Sequence, residues 1–319
     1  PALAAQKAGV DLIITDHHNP PLSDADLPDA FAVVHPRRPG SAYPFGDLSG
    51  AGVSYKLAWR LATMHCGGQR VSSEFRTLLV ELLSFAALGA IADIVPLVGE
   101  NRVLTRHGLA RIKSSPNPGL RALVEASGLA GDEIDSDHVG FALAPRLNAC
   151  GRMGHAREAV ELFTTATPAQ SAMIAANLCK LNDQRRSTER RIADHAAQMA
   201  ADAGMTGPDR RAIILAHPDW HAGVIGIVCS RLVDLFHRPT ILMQLKDGQA
   251  HGSGRSIDGF SLHAALERCA GDLLSFGGHD MAAGLRLEQS RLETFLPGFP
   301  APAHPPLTPP RRRGPPSPT

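Results

Sequence analysis

The sequence predicts an α/β protein in unequal parts: a partial doubly wound parallel-sheet domain, a long connecting helix, and a second, smaller α/β domain. Three observations carry that reading. Short β-branched-rich runs alternate with helix-like segments up to about residue 165. A single long stretch with apolar spacing near a helical period follows. A fresh strand–helix–strand pattern then begins at Arg211.

Taken in order, residues 1–9 read as the end of a helix stopped by Gly9, and residues 10–15 as a buried parallel strand. Residues 31–35 make a second strand, and helices are predicted over 50–64, 74–89, 101–113 and 156–163. A parallel strand needs neighbours and nothing precedes this one, so the chain reads as truncated at its N-terminus within a larger α/β domain. From Pro168 to Gly204 the residues Ile174, Leu178, Leu181, Ile192 and Met199 keep a helical stripe, interrupted by a charged block at 183–191. Such a helix would be about 50 Å long, too long and too polar in its middle for a core helix, and reads as a connector. Beyond it come a strand at 211–216, a helix at 221–236 and a strand at 240–245. Asp247-Gly248 signals a hairpin turn, followed by a helix at 261–270 and a last strand at 283–287. The domains are therefore drawn at 1–167, 168–204 and 205–297, with a Pro-rich, disordered tail at 298–319.

A chain of 319 residues with 44% hydrophobic content can bury two real cores. Its net charge of +1 excludes a global basic field, so any nucleic acid must be held in a local groove. The five cysteines (Cys66, Cys150, Cys179, Cys229 and Cys269) are odd in number and lie far apart, with no Cys-x-x-Cys pair. That argues for reduced thiols in the cytoplasm rather than a disulfide or zinc framework. No run of 18 apolar residues and no charged-then-apolar leader is read, so no membrane span or signal peptide is expected.

The chemistry concentrates at Asp16-His17-His18, released from the first strand into a Pro-rich loop. Chemistry in open α/β sheets gathers past the carboxyl ends of strands. One carboxylate and two imidazoles there make either a solvated polar turn or part of a divalent-metal site. Asp93 is a lone acid in the apolar run Leu88 to Leu97, where a carboxylate is costly unless it caps a helix, is hydrogen-bonded or binds metal. Ser253 and Arg255 lie two apart on a strand and so share one face, as a hydroxyl and a guanidinium fork suited to phosphate. Arg152 in a Gly-Arg turn after Asn148 offers a second fork, and Gly277-Gly278-His279 permits close backbone approach or is simply a turn. Trp220 with His221 could stack a base, although Trp220 reads better as a core anchor.

The Asp16-His17-His18 and Asp93 segments, in this order, resemble the DHH phosphoesterase superfamily. Further stretches narrow the resemblance to the RecJ single-strand-specific exonucleases: Tyr43-Pro44-Phe45, Leu48 to Val53, Ala144-Pro145-Arg146-Leu147-Asn148-Ala149-Cys150-Gly151-Arg152, Trp220 to Ile227, Ser253-Gly254-Arg255-Ser256, and Phe276 to Gly284. The resemblance implies a DHH domain, a linker helix and a DHH-associated domain, with the family's usual OB-fold module missing. It implies a 5′→3′ exonuclease on single-stranded DNA, acting in DNA repair and recombination with Mn²⁺ or Mg²⁺. His17 and Asp93 become metal ligands, and Asp16 a ligand or the acid that fixes the ring of His17. His18 faces the scissile phosphate as charge stabiliser or proton donor. Asn148, Arg152, Ser253, Arg255, Gly277, Gly278 and His279 bind substrate. The partner is single-stranded DNA, with no membrane, and the chain is a cytoplasmic monomer. The family's upstream Asp-x-Asp and second Asp motifs are missing here, so the 319 residues are expected to form an inactive fragment. His35 stands where the family usually has Asn, Ser84 where an acid is common, and Cys150 where Ala is usual. The rival functions are a DHH-type phosphoesterase on short oligonucleotides or nucleotides, and a non-catalytic DNA-binding scaffold.

Overall fold

The computed structural model describes residues 1–207 and 210–300. Its fold divides into two compact units, one of residues 1–150 and 154–182, the other of 151–153 and the chain from Asp183 onward. The first unit starts with α1 (Ala2–Lys7), β1 (Ile13–Thr15) and β2 (Ala32–Val34), the two strands pairing in parallel with Ile14 opposite Val33. Helices α2 (Gly50–His65), α3 (Ser73–Ala92) and α4 (Gly99–Ile112) follow. Ser49 and Ser72 start α2 and α3 by accepting the N–H groups of Gly52 and Phe75. Next are α5 (Pro118–Ala126), begun by the Asn117 cap and a proline at its first position, and a π-helical turn at His138–Leu143. That turn runs directly into α6 (Ala144–Met153), then α7 (Arg157–Thr164) and the 35-residue α8 (Pro168–Asp202), which continues into the second unit.

Two expectations for the first unit are corrected. The strand before Asp16 is not buried: Ile13 is 56% exposed, because among the described residues β1 pairs only with β2. An 18-residue apolar window does exist, in α3, with mean hydropathy 1.7, so by length and composition alone this helix could cross a membrane. Arg76 and Glu81 both fall inside that window and interrupt the apolar run in the sequence. In this fold α3 packs on α2 and α4, burying Leu79, Ala86, Ala87, Leu88 and Ala90. The core below it gathers Ile112, Leu120, Leu123, Val139, Leu143 and Leu162, all 1% exposed or less. Each such side chain contributes about 1.5–3 kcal/mol through its removal from water.

The second unit is a five-stranded mixed sheet in the order β3-β4-β5-β7-β6. Its strands are β3 (Ile213–His217), β4 (Thr240–Lys246), β5 (Gln249–Arg255), β6 (Ser275–Gly278) and β7 (Ala282–Glu288). Helix α9 (Ala222–Phe236) joins the parallel pair β3–β4, and α10 (Leu262–Arg268) and α11 (Leu292–Gly298) complete the unit. Asp247 and Gly248 take φ of 52° and 74°, the left-handed pair of a tight hairpin turn. One core lies where α9 and the second half of α8 meet the sheet, around Ile192, Trp220, Ile225 and Leu242; the other holds Leu262, Leu285, Leu287 and Phe295. Strand β6 and helix α11 went unread in the sequence. Gly277 and Gly278 lie inside β6, and Gly298 and the buried Phe299 belong to this unit rather than to a tail. The remainder of the Pro-rich stretch, from 301 on, is outside the described residues.

Candidate metal centre and phosphate site

In the first unit the ends of β1, α2 and α3 converge on one loop. Asp16 follows β1 directly, and its N–H donates to the Val34 carbonyl at 3.2 Å, extending the strand pairing by one residue. The carboxylate then turns back on its own loop. Oδ1 accepts from the backbone N–H of His17 (2.7 Å) and His18 (3.2 Å) and from Nδ1 of His18 (2.6 Å), which leaves Oδ2 for another partner. Burial by itself raises the Asp16 carboxyl, but the His18 side chain and the two N–H groups outweigh it and bring it down to about 2. Asp16 thus fixes the ring of His18, not that of His17 as expected from the sequence. With Nδ1–H engaged, His18 presents Nε2 outward on a side chain 71% exposed.

His17 points the other way, its Nε2 3.3 Å from Asp93 Oδ2. Asp93 is the C-terminal cap of α3 and is exposed, so it escapes the desolvation cost its apolar neighbours suggested. Its position comes from how α3 stops: Val95 N–H donates back to Ala90 and Ile94 N–H to Ile91, with Ile94 in the left-handed region at φ 57°. Ligand atoms of Asp16, His17 and His18 all lie within 4.8 Å of one another. Oxygen and imidazole donors at that spacing, with Asp93 in contact, fit a divalent cation of the Mn²⁺ or Mg²⁺ type. His35, unassigned a role in the sequence, holds the loop: its Nδ1 accepts from Arg37 N–H (2.9 Å), so its Nε2–H donates to the His18 carbonyl (2.7 Å). Ser84 is buried and donates to the Glu81 carbonyl, and Cys150 is packed in the core as a small apolar side chain.

The second unit carries the fixed cations. Ser253 and Arg255 share one face of β5, with Arg255 Nη1 3.4 Å from Ser253 Oγ and 2.8 Å from the Gly254 carbonyl. Helix α9 lies over that face at close range. A methyl group at Gly226 would come 2.8 Å from Ser253 Oγ, and one at Gly223 would collide with the Arg152 carbonyl. Arg152 is in the last turn of α6, not in a free turn, and its Nη1 donates to the Gly223 carbonyl at 3.2 Å. Partial burial, then repulsion from Arg185 and Arg255, lowers its guanidinium below the ordinary range, with Glu189 opposing. Arg185 and Glu189, paired at 2.9 Å, lie in the charged block that interrupts the apolar stripe of the connector helix and were not picked out in the sequence.

The glycines of the site divide by cause. Ser253 pairs with Gly284, and Gly284 with Gly277, so the sheet beside Ser253 is bare backbone, with nothing within 4 Å of a methyl group built at Gly277. Gly278 is required by its conformation, φ 136°, and by contact with Ala282 and Ala283. His279 is exposed in the turn that follows, its N–H donating to Ala282. Asn148 is exposed on the first-unit part of α6. Trp220 is 1% exposed, with Nε1 donating to His195 Nδ1 at 3.2 Å, and so is a core anchor; His221 caps α9.

Residues 209–298 match the DHHA1 domain family. The single-stranded-DNA-specific exonuclease RecJ of Bacillus subtilis (strain 168) is 42% identical over 289 residues, which is 90% of this chain and 34% of that protein. The crystal structure of exonuclease RecJ bound to manganese aligns with a TM-score of 0.75 at 34% identity, covering 93% of this chain and 70% of that one. RecJ of Thermus thermophilus in complex with Mg²⁺ gives a TM-score of 0.73 at 34% identity, covering 92% of this chain and 43% of that one. The chain thus spans about a third of the length of the Bacillus subtilis relative. On sequence and fold together, this chain belongs to the RecJ family.

Proposed function

We propose that this chain carries the Asp-His-His loop and the phosphate-binding unit of a metal-dependent exonuclease. Its substrate is single-stranded DNA, digested 5′→3′ in repair and recombination. The observation that supports this best is the His17–Asp93 contact at 3.3 Å beside the Asp16–His18 pair at 2.6 Å. These donors sit in a chain related to RecJ proteins whose structures hold manganese or Mg²⁺. Asp16 through Oδ2, His17 and Asp93 hold the cation. Bound there, the metal supplies Lewis-acid activation of the phosphodiester. His18, oriented by Asp16, serves the scissile phosphate from Nε2 as charge stabiliser or proton donor to the leaving oxygen. Arg152, Ser253 and Arg255 take a phosphate, Gly277 and Gly278 keep the adjacent strand edge open to the nucleotide, and His279 and Asn148 add polar contacts. The chain acts as a monomer of the cytoplasm, a compartment that suits five free cysteines.

Among the described residues, the metal-ligating group is Asp16, His17 and His18 with Asp93 alongside, fewer carboxylates than a two-metal site uses. The 319 residues alone are therefore expected to bind Mn²⁺ weakly and digest little DNA. Calorimetric titration with Mn²⁺ checks this: weak binding should disappear in Asp93→Asn and in His17→Ala. Affinity unchanged in both variants, or vigorous Mn²⁺-dependent digestion by the 319-residue chain itself, would place the metal site on other residues.

A further inference from the structure

Beside Asp93, within the first unit, runs an apolar groove of about 430 Å³, lined among others by Ile94, Val95, Leu97, Phe141, Pro145 and Asn148. Two unusual backbone features border it. Ile94, a β-branched residue, is held at φ 57° and is 88% exposed, whereas this position at a helix end normally falls to glycine. The π-helical turn His138–Leu143, which also contributes to the lining, displays Phe141 84% exposed. An apolar residue kept in a disfavoured conformation and an aromatic ring kept in water, both lining one groove, are unfavourable for the folded chain alone. Ala92 and Ile94, on either side of Asp93 in the chain, both line the groove, and Asp93 is the carboxylate that touches His17.

We propose that this groove seats a nucleobase of the bound single strand, stacked on Phe141 and closed from the other side by Ile94. The inference rests on the exonuclease reading and extends it from the phosphate to the base. Three features select this occupant. Two of its lining residues, Ala92 and Ile94, flank Asp93 in the chain, its size suits a nucleobase with its sugar, and its lining includes one aromatic ring, Phe141, and one side-chain amide, Asn148. Stacking on an aromatic ring tolerates every base, as an enzyme that digests a strand without regard to sequence requires.

The test is fluorescence anisotropy with two 5′-phosphorylated thymidine oligonucleotides, one complete and one lacking the bases of its 5′-terminal nucleotides. The 319-residue chain should bind the complete strand about tenfold more tightly, the ordinary worth of one stacked base. Phe141→Ala, at an exposed position where the fold loses little, should bind both strands equally, and Phe141→Trp should restore the preference. Ile94→Gly should weaken the preference while raising the thermal midpoint, an opposition that a merely structural residue would not produce. If the unaltered chain shows no preference, or Phe141→Ala keeps it, the groove is not a base site and the exonuclease reading survives. Failure of the unaltered chain to bind either strand overturns both.

Discussion

The two candidate sites are built in opposite ways. The Asp-His-His loop hangs from a two-stranded sheet and is organised by short-range polar contacts: Asp16 to His18, His17 to Asp93, and His35 to the His18 carbonyl. Its groups are half-buried or exposed, and each is held by a hydrogen bond that water could replace. The candidate phosphate site lies on a five-stranded sheet and is organised by packing. Strand register fixes Ser253 and Arg255 on one face, the missing side chain of Gly226 lets α9 close over them, and that of Gly223 lets α9 pack on the Arg152 backbone. Acid and imidazole donors in an open polar setting can adjust to a cation, whereas a guanidinium pair needs its geometry fixed beforehand. The first site should therefore fail chemically, through loss of one contact, and the second mechanically, through loss of fit.

The largest expected effect on that contrast is at Gly223. An added methyl group meets the backbone carbonyl of Arg152, which cannot swing aside as a side chain can. Gly223→Ala should destabilise the protein by about 3 kcal/mol, the upper end for overpacking, read from the urea midpoint. A neutral result would show that α9 has room to shift and that the fit is loose. Next comes Arg255. Arg255→Ala should weaken binding of a 5′-phosphorylated strand about tenfold and lower the salt slope by about 0.7, the share of one phosphate contact on a single strand. Arg255→Lys, keeping the charge but not the fork, should recover only part of the loss.

The smallest effect concerns pH in the first site. Asp16 falls from an ordinary value of 3.8 to about 2, so the fold favours its ionised form. Its contribution is complete above the unfolded value and is lost as pH falls through 3.8 toward 2. Stabilities of the unaltered chain and Asp16→Asn should differ at pH 6 and converge near pH 2. Because the Asp16 side chain is 42% exposed, the difference should be small. A gap that stays constant across that range would mean that the carboxylate charge is not what holds the loop.

Legibility in the sequence followed the same division. The strands of the second unit and the Asp247-Gly248 hairpin were readable because alternation and turn chemistry are local signals, and Ser253 and Arg255 sharing a face follows from strand period alone. Asp16, His17, His18 and Asp93 could be picked out as residues, but not their pairing: which imidazole Asp16 grips depends on the turn of a loop, a feature with no periodicity. Arg152 read as a turn residue because Gly151 precedes it, yet α6, entered from the π-helical turn, runs through to Met153. Strand β6 was missed because Gly277 and Gly278 signal a turn, whereas register with β7 makes them an edge strand. The exposure of Ile13 was invisible because an apolar run shows what can be buried, not what is there to bury it.

The most direct measurement of the central reading uses a hybrid in which these residues replace the matching stretch of the Bacillus subtilis relative. It should release nucleotides from the 5′ end of single-stranded DNA only with Mn²⁺ or Mg²⁺ present, leaving duplex intact, and His18→Ala should slow release by a factor of about 10². A hybrid that folds and binds single strands yet releases nothing, or one whose rate is unchanged by His18→Ala, would contradict the account.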